Sequence, residues 1–199
     1  MASSTTSAAS RTEQQAANQS TAIAIAMFCV LLVSYILMAA DRYLFPVLAA
    51  DIRKDFGFSI STTGLLSTIF TLGLGLAGLP TGYLLARYSR KTVLLIGIAL
   101  FSGATAMTTT AGGFSSMLVL LALQGIGMSM LATSMFALAA NYFSNNRAAA
   151  IGSVNFCYGV GGFLGPFIAG ILRTSYETWH APMVAFGAFG FVKIGRAHV

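Results

Sequence analysis

Two stretches of this chain contain no Asp, Glu, Lys or Arg: Phe56 to Ala86, and Thr92 to Asn146. A water-facing fold cannot be built around runs of that length, because its surface needs charge. A helix crossing about 30 Å of hydrocarbon needs roughly 20 apolar residues and tolerates almost no charge. Between the two runs lies a compact basic knot of Arg87, Arg90 and Lys91. A short basic segment between apolar spans is what the positive-inside rule places in the cytoplasm. Of the 199 residues, 56% are hydrophobic and 8% charged, whereas a soluble domain carries about 25% charged residues. The chain reads as an all-α integral membrane protein.

Cutting the apolar sequence at its charges and Gly/Ser breaks gives six spans. They cover about 22–48, 61–86, 92–111, 117–140 and 148–172, with a sixth starting near Trp179. Residues 1–20 are rich in Ser, Thr, Ala and Gln, cannot bury a core, and read as a disordered cytoplasmic tail. A cleaved signal with Ala22 to Ala40 as its apolar region is the competing reading. The length of that run and the spans that follow it favour a retained helix. The sixth span has only 12 uncharged residues, Ala181 to Val192, before Lys193. The last seven residues, Lys193 to Val199, read as translated sequencing adapter. The expected organisation is a tail over 1–20, a six-helix domain over 21–192 and a foreign 193–199, with the protein truncated in helix six.

Loop charges orient the bundle. Arg87, Arg90 and Lys91 follow span two and Arg147 follows span four, whereas the loop after span one is balanced by Asp51, Arg53, Lys54 and Asp55. Basic excess on the even loops places the N-terminus in the cytoplasm, and a bacterial inner membrane is the expected location. The cations sit at helix ends rather than in one cluster, which argues against a nucleic-acid partner. Cys29 and Cys157 lie in apolar runs without a CxxC pair or Cys/His cluster, so neither metal nor cofactor is expected. Spans two and five are the Gly-rich ones, the middle members of two successive three-helix units. That pattern fits two inverted three-helix repeats.

Asp41-Arg42 is the one charged pair inside an apolar span. Charges there cost several kcal/mol (about 2.5–3.5 on insertion scales) unless paired or wetted, so a functional site is the default reading. Arg42 offers a planar fork suited to a carboxylate or phosphate, and Asp41 is the candidate proton site. Tyr43, Gln124, Asn155 and Tyr158 join them as candidate substrate or coupling residues. The alternative is that the span ends at Ala40 and both charges face water, against which stands the apolar run Phe45 to Ala50.

The basic knot reads Gly82-Tyr83-Leu84-Leu85-Ala86-Arg87-Tyr88-Ser89-Arg90-Lys91. It resembles the loop between helices two and three of the major facilitator superfamily of secondary transporters, roughly Gly-x-Leu-x-Asp-Arg-x-Gly-Arg-Arg/Lys. Gly82, Leu84, Arg87, Arg90 and Lys91 match, while Ala86 replaces the Asp and Ser89 the second Gly. The resemblance implies a gating loop that latches the transporter halves in the outward-facing state. Without the carboxylate its charge–dipole and ion-pair contact is lost, and the latch is weaker or differently made. In span five, Gly161, Gly165, Pro166 and Gly170 are similar to the Gly-x3-Gly-Pro-x2-Gly-Gly motif of many facilitators, with Ala169 for one Gly. Close helix packing and a bend at Pro166 are its physical content.

Asp41-Arg42-Tyr43, Asp55-Phe56, Gly64-Leu65-Leu66 and Pro80-x-Gly82-Tyr83-Leu84 resemble the Spinster and anion:cation symporter branches. Where those branches read Arg-x3-Gly-x-Gly-Glu in span four, this chain has Leu121, Gly125, Gly127 and Met128. A coupling scheme relying on that Glu cannot operate here. The resemblance implies the N-terminal six-helix half of a twelve-helix carrier. It would transport a small organic solute, expected to be anionic, by alternating access, with protons as a candidate co-substrate. The missing C-terminal half and the lipid bilayer are its implied partners. An exchanger or efflux carrier of the same superfamily, or a non-transporting membrane scaffold, is the alternative. Enzyme readings fare poorly: Gly127-Met128-Ser129-Met130 lacks the second Gly of a nucleophile elbow, Asp41 has no second buried acid, and no phosphate-binding GxxxxGK[ST] occurs.

Overall fold

The computed structural model describes residues 28–142 and 146–197. The tail over 1–20 and the start of span one at 22–27 lie outside the described residues. Span one is two helices, α1 over 28–42 and α2 (Leu44–Phe56), meeting at Tyr43. Pro46 explains the break: in a continuous helix its nitrogen would serve the Arg42 carbonyl, and proline has no N–H to give. Span two divides the same way into α3 (Ile60–Leu76) and α4 (Gly78–Arg87), with Pro80 four residues beyond Leu76. Span three is α5 (Arg90–Thr108), span four α6 (Phe114–Tyr142), span five α7 (Arg147–Tyr176) and span six α8 (His180–Ala197). Pro166 sits inside α7 without ending it.

Five of these spans are 19–30 residues long and apolar enough to cross a bilayer. Their ends are set locally. Gly57 takes the left-handed conformation (φ 67°) that closes α2. The Ser59 and Ser89 side chains cap α3 and α5 by accepting from the Thr62 and Thr92 amides at 3.0 and 3.1 Å. One expectation changes. The segment Gly82–Lys91 is mostly helix: α4 runs through Arg87, and only Tyr88 and Ser89 turn, because the Ser89 cap starts α5 at once. In span six, α8 runs on through Lys193 to Ala197; Lys and Arg are good helix formers.

The packing pattern is that of a pseudo-twofold pair of three-helix units. Span one lies on span five through α1, α2 and α7 as span two lies on span four through α3 and α6, and span three lies on span six. Glycine makes the first two contacts possible. A Cβ at Gly165 would come within 2.7 Å of the Ala40 Cα, and one at Gly161 within 2.6 Å of the Ala39 Cβ. At the related contact a Cβ on Gly125 would stand 2.9 Å from the Leu74 nitrogen. Backbones meet directly, with no hydrophobic driving force needed in lipid. A Cβ added at Gly170 would meet no neighbouring helix within 4 Å, so the close-packed part of the span-five motif is Gly161 and Gly165.

Burial is uneven. Only 11% of the apolar window of span two and 28% of that of span five lie inside the bundle, against 44% or more for spans one, three and four. Leu72, Leu76, Leu79, Phe156, Phe163 and Phe167 stand exposed on those two helices.

Candidate functional site: a cavity around Arg42

Arg42 is the last residue of α1, where the Pro46 break turns the chain. Its guanidinium carbon lies 5.7 Å from the centroid of Phe70 on α3 and 5.7 Å from that of Tyr158 on α7. Its Nη1 also donates to the Tyr158 hydroxyl. Rings at that distance stabilise a partly desolvated cation through their quadrupoles. The Tyr158 ring is steadied in turn by Tyr35 and Tyr43, with centroids 6.0 and 6.5 Å away.

Arg42 lines a cavity of about 340 Å³. Tyr35, Tyr158 and Asn155 line it with Arg42, and α6 contributes Ser129 and Thr133 alongside the apolar Met128 and Phe136. Among its lining residues Arg42 is the one charged side chain, so the cavity carries positive potential with hydroxyls and an amide near it. Asn155 Nδ2 donates to the Ile151 carbonyl at 3.1 Å, which fixes its side chain along α7.

Asp41 and Arg42 point to different surroundings. Asp41 is buried, and its Oδ2 accepts from the Thr105 hydroxyl of α5 at 3.2 Å. Gln124 does not line the cavity; its Nε2 donates to Thr108 Oγ1 at 3.1 Å between α6 and α5. Tyr43 packs over Gly162, where a Cβ would meet its ring at 3.0 Å. Of the six candidates, Arg42, Asn155 and Tyr158 share the cavity, Tyr43 supports it from behind, and Asp41 and Gln124 bind span three. Among the described residues no group of His, Cys, Asp or Glu could hold a metal ion.

The ends of the bundle differ. At one end Arg173 makes two hydrogen bonds to Asp51, at 2.5 and 2.7 Å, joining α7 to α2. The Trp179 indole donates to Asp55, and the rings of Phe56, Phe58, Phe114 and Trp179 form one chain of contacts. At the other end lie Arg87, Arg90 and Lys91, all exposed, around the Tyr88-Ser89 turn.

Residue typing alone did not single out Phe70, Tyr35, Ser129 or Thr133. Their apolar spans give no periodic signal strong enough to say which face meets a cavity. Pro46, four residues after Arg42, was the available sign that the helix opens at the charge.

Comparison with known proteins agrees with this architecture. The Major Facilitator Superfamily model matches residues 23–194, and the chain belongs to that family. It is 27% identical over 179 residues to protein spinster homolog 1 of Xenopus laevis, covering 88% of this chain and 33% of that protein. It is 28% identical over 156 residues to the hexuronate transporter of Bacillus subtilis (strain 168), covering 76% of this chain and 36% of that one. The chain thus spans about a third of the length of these relatives. Its fold matches the crystal structure of a bacterial homolog of the human lysosomal transporter Spinster in an inward-facing, unoccupied conformation. The TM-score is 0.76 at 22% identity, over 88% of this chain and 42% of that one.

Proposed function

We propose that this chain forms the N-terminal six-helix half of a secondary transporter that carries an organic anion by alternating access. The observation that carries this reading is the Arg42 guanidinium, held between Phe70 and Tyr158 at a helix break and facing a cavity of mixed polar and apolar lining. Held by a neutral hydroxyl and two rings, the fork keeps its charge for a carboxylate or phosphate and loses little freedom on binding it. The sparsely buried spans two and five supply the face on which a second half would close the cavity. A relative named as a hexuronate transporter fits a solute of this charge. The test is binding of glucuronate and of lysophosphatidic acid to the full-length protein by isothermal calorimetry. One of them should bind with an affinity that falls on Arg42→Ala, and binding of neither, or an Arg42→Ala affinity equal to that of wild type, would sink the reading.

Asp41 is the residue through which we route proton coupling. Its burial beside Thr105 provides a carboxyl that can hold a proton away from the solute. Asp41→Asn in the full-length protein should then stop pH-driven accumulation and leave counterflow exchange working, because exchange moves no net proton. Unchanged pH-driven accumulation would make Asp41 a packing residue and the carrier a uniporter or exchanger.

The orientation follows from charge. With the basic turn in the cytoplasm, an impermeant thiol reagent applied outside to a Cys-free background should modify a cysteine at position 113 and spare one at 89. The reverse pattern would invert the topology.

A further inference from the structure

The charge of the bundle is concentrated at one end. Asp51, Asp55 and Glu177 balance Arg53, Lys54 and Arg173 at the far end, three against three. Among the described residues Arg87, Arg90, Lys91 and Arg147 at the basic end form no ion pair, and no acidic residue lies between Asp55 and Glu177. The cations are gathered by the fold rather than only by the sequence. Arg147 Nε donates to the Ala140 carbonyl at 2.9 Å. The next residue, Asn141, meets both terminal nitrogens of Arg90 when its amide oxygen is turned toward them. Two guanidinium groups from different turns therefore converge on the last turn of α6, whose carbonyl end attracts them. Arg87 lies 4.8 Å over the ring of Tyr83, and Tyr83 and Tyr88 are both largely exposed.

From this arrangement we infer that the Arg87–Arg90–Lys91–Arg147 patch is a docking surface for the headgroups of anionic phospholipids. Each part has a physical reason. The four cations stand at or beside the ends of membrane spans, and so at headgroup depth. Exposed tyrosines favour that depth, and a cluster of cations without a carboxylate attracts phosphodiester charge. A lipid headgroup fits better than a soluble anion, because the tyrosines need an apolar neighbour as well as a charged one. An acidic surface on the second half of the transporter is the competing occupant.

The test uses the purified full-length protein and native mass spectrometry of bound phosphatidylglycerol against phosphatidylcholine. Wild type should retain phosphatidylglycerol preferentially, and Arg87→Gln/Lys91→Gln should weaken that retention by about 25-fold, taking about fivefold for each cation. The control Arg53→Gln/Lys54→Gln at the balanced end should retain it as wild type does. Keeping Arg90 and Arg147 leaves topogenic charge in place. Wild type alone gives a check that needs no variant: retention of phosphatidylglycerol should fall as salt is raised. Equal retention of the two lipids by wild type would overturn the inference and assign the patch to a protein surface. Retention unaffected by the double substitution, or by salt, would overturn it as well.

Discussion

Arg42→Ala in the full-length protein should reduce anion affinity by at least 100-fold while leaving the protein folded and monodisperse. The size follows from what the side chain does. Among the described residues it is the single charged group lining the cavity, and a charge-assisted, forked contact to a carboxylate or phosphate contributes about 1.5–3 kcal/mol, with the desolvated partner left unmet on top of that. Arg42→Lys keeps the charge but loses the fork and the flat face that lies between Phe70 and Tyr158, so its binding should be intermediate, weaker than wild type by about tenfold. Tyr158→Phe removes the hydroxyl that accepts from Arg42 and keeps the ring. It should cost less than either change. Calorimetric titration of the three variants separates them, and an Arg42→Lys protein as inactive as Arg42→Ala would mean that the guanidinium holds the fold instead of the solute.

The second large effect is on stability. Gly165→Leu should prevent the protein from being extracted as a folded species, and Gly161→Leu should do the same. At both positions the backbone of span one lies where the new side chain must go, with the Ala40 Cα 2.7 Å and the Ala39 Cβ 2.6 Å from the respective Cβ positions. Neither obstacle is the tip of a flexible side chain. Inserting even a methylene into a filled core costs about 1–3 kcal/mol, and here the two helices must separate along their length. Gly170→Ala is the matched control: nothing stands within 4 Å of its Cβ position, and alanine is a better helix former. Fluorescence size-exclusion melting should rank Gly170→Ala at or above wild type. A Gly165→Leu protein with wild-type melting would remove the direct backbone contact between spans one and five.

Much of the fold was legible because the bilayer leaves few choices. The uncharged runs 56–86 and 92–146 had to be helices, and the Gly-rich segments of spans two and five stood out by composition. The inverted pairing of spans is visible in which helices touch, but the sequence carried only its faint trace in glycine placement. The site was half legible. Arg42 announced itself as a charge among apolar residues, and Asn155 and Tyr158 lie beside it in the cavity. Gln124 was conspicuous for the same reason, yet its amide is spent on Thr108. A buried polar side chain in a membrane bundle can serve a cavity or a neighbouring helix equally well, and residue type does not separate the two. Phe70 was not legible at all, since one phenylalanine among 15 gives no sign that it lies over a guanidinium. Reading the basic segment as a loop missed that the Ser89 cap starts α5 one residue after Tyr88.

Uptake into proteoliposomes of the full-length protein bears most directly on whether Arg42 marks the path of a transported anion. Labelled glucuronate and lysophosphatidic acid should be compared with the neutral sugar glucose, in wild type and Arg42→Ala. Saturable uptake of one anion, no uptake of glucose and loss of the anion signal in Arg42→Ala are the expected results. Saturable glucose uptake with neither anion carried, or anion uptake that Arg42→Ala leaves unchanged, would contradict an anion path through this cavity.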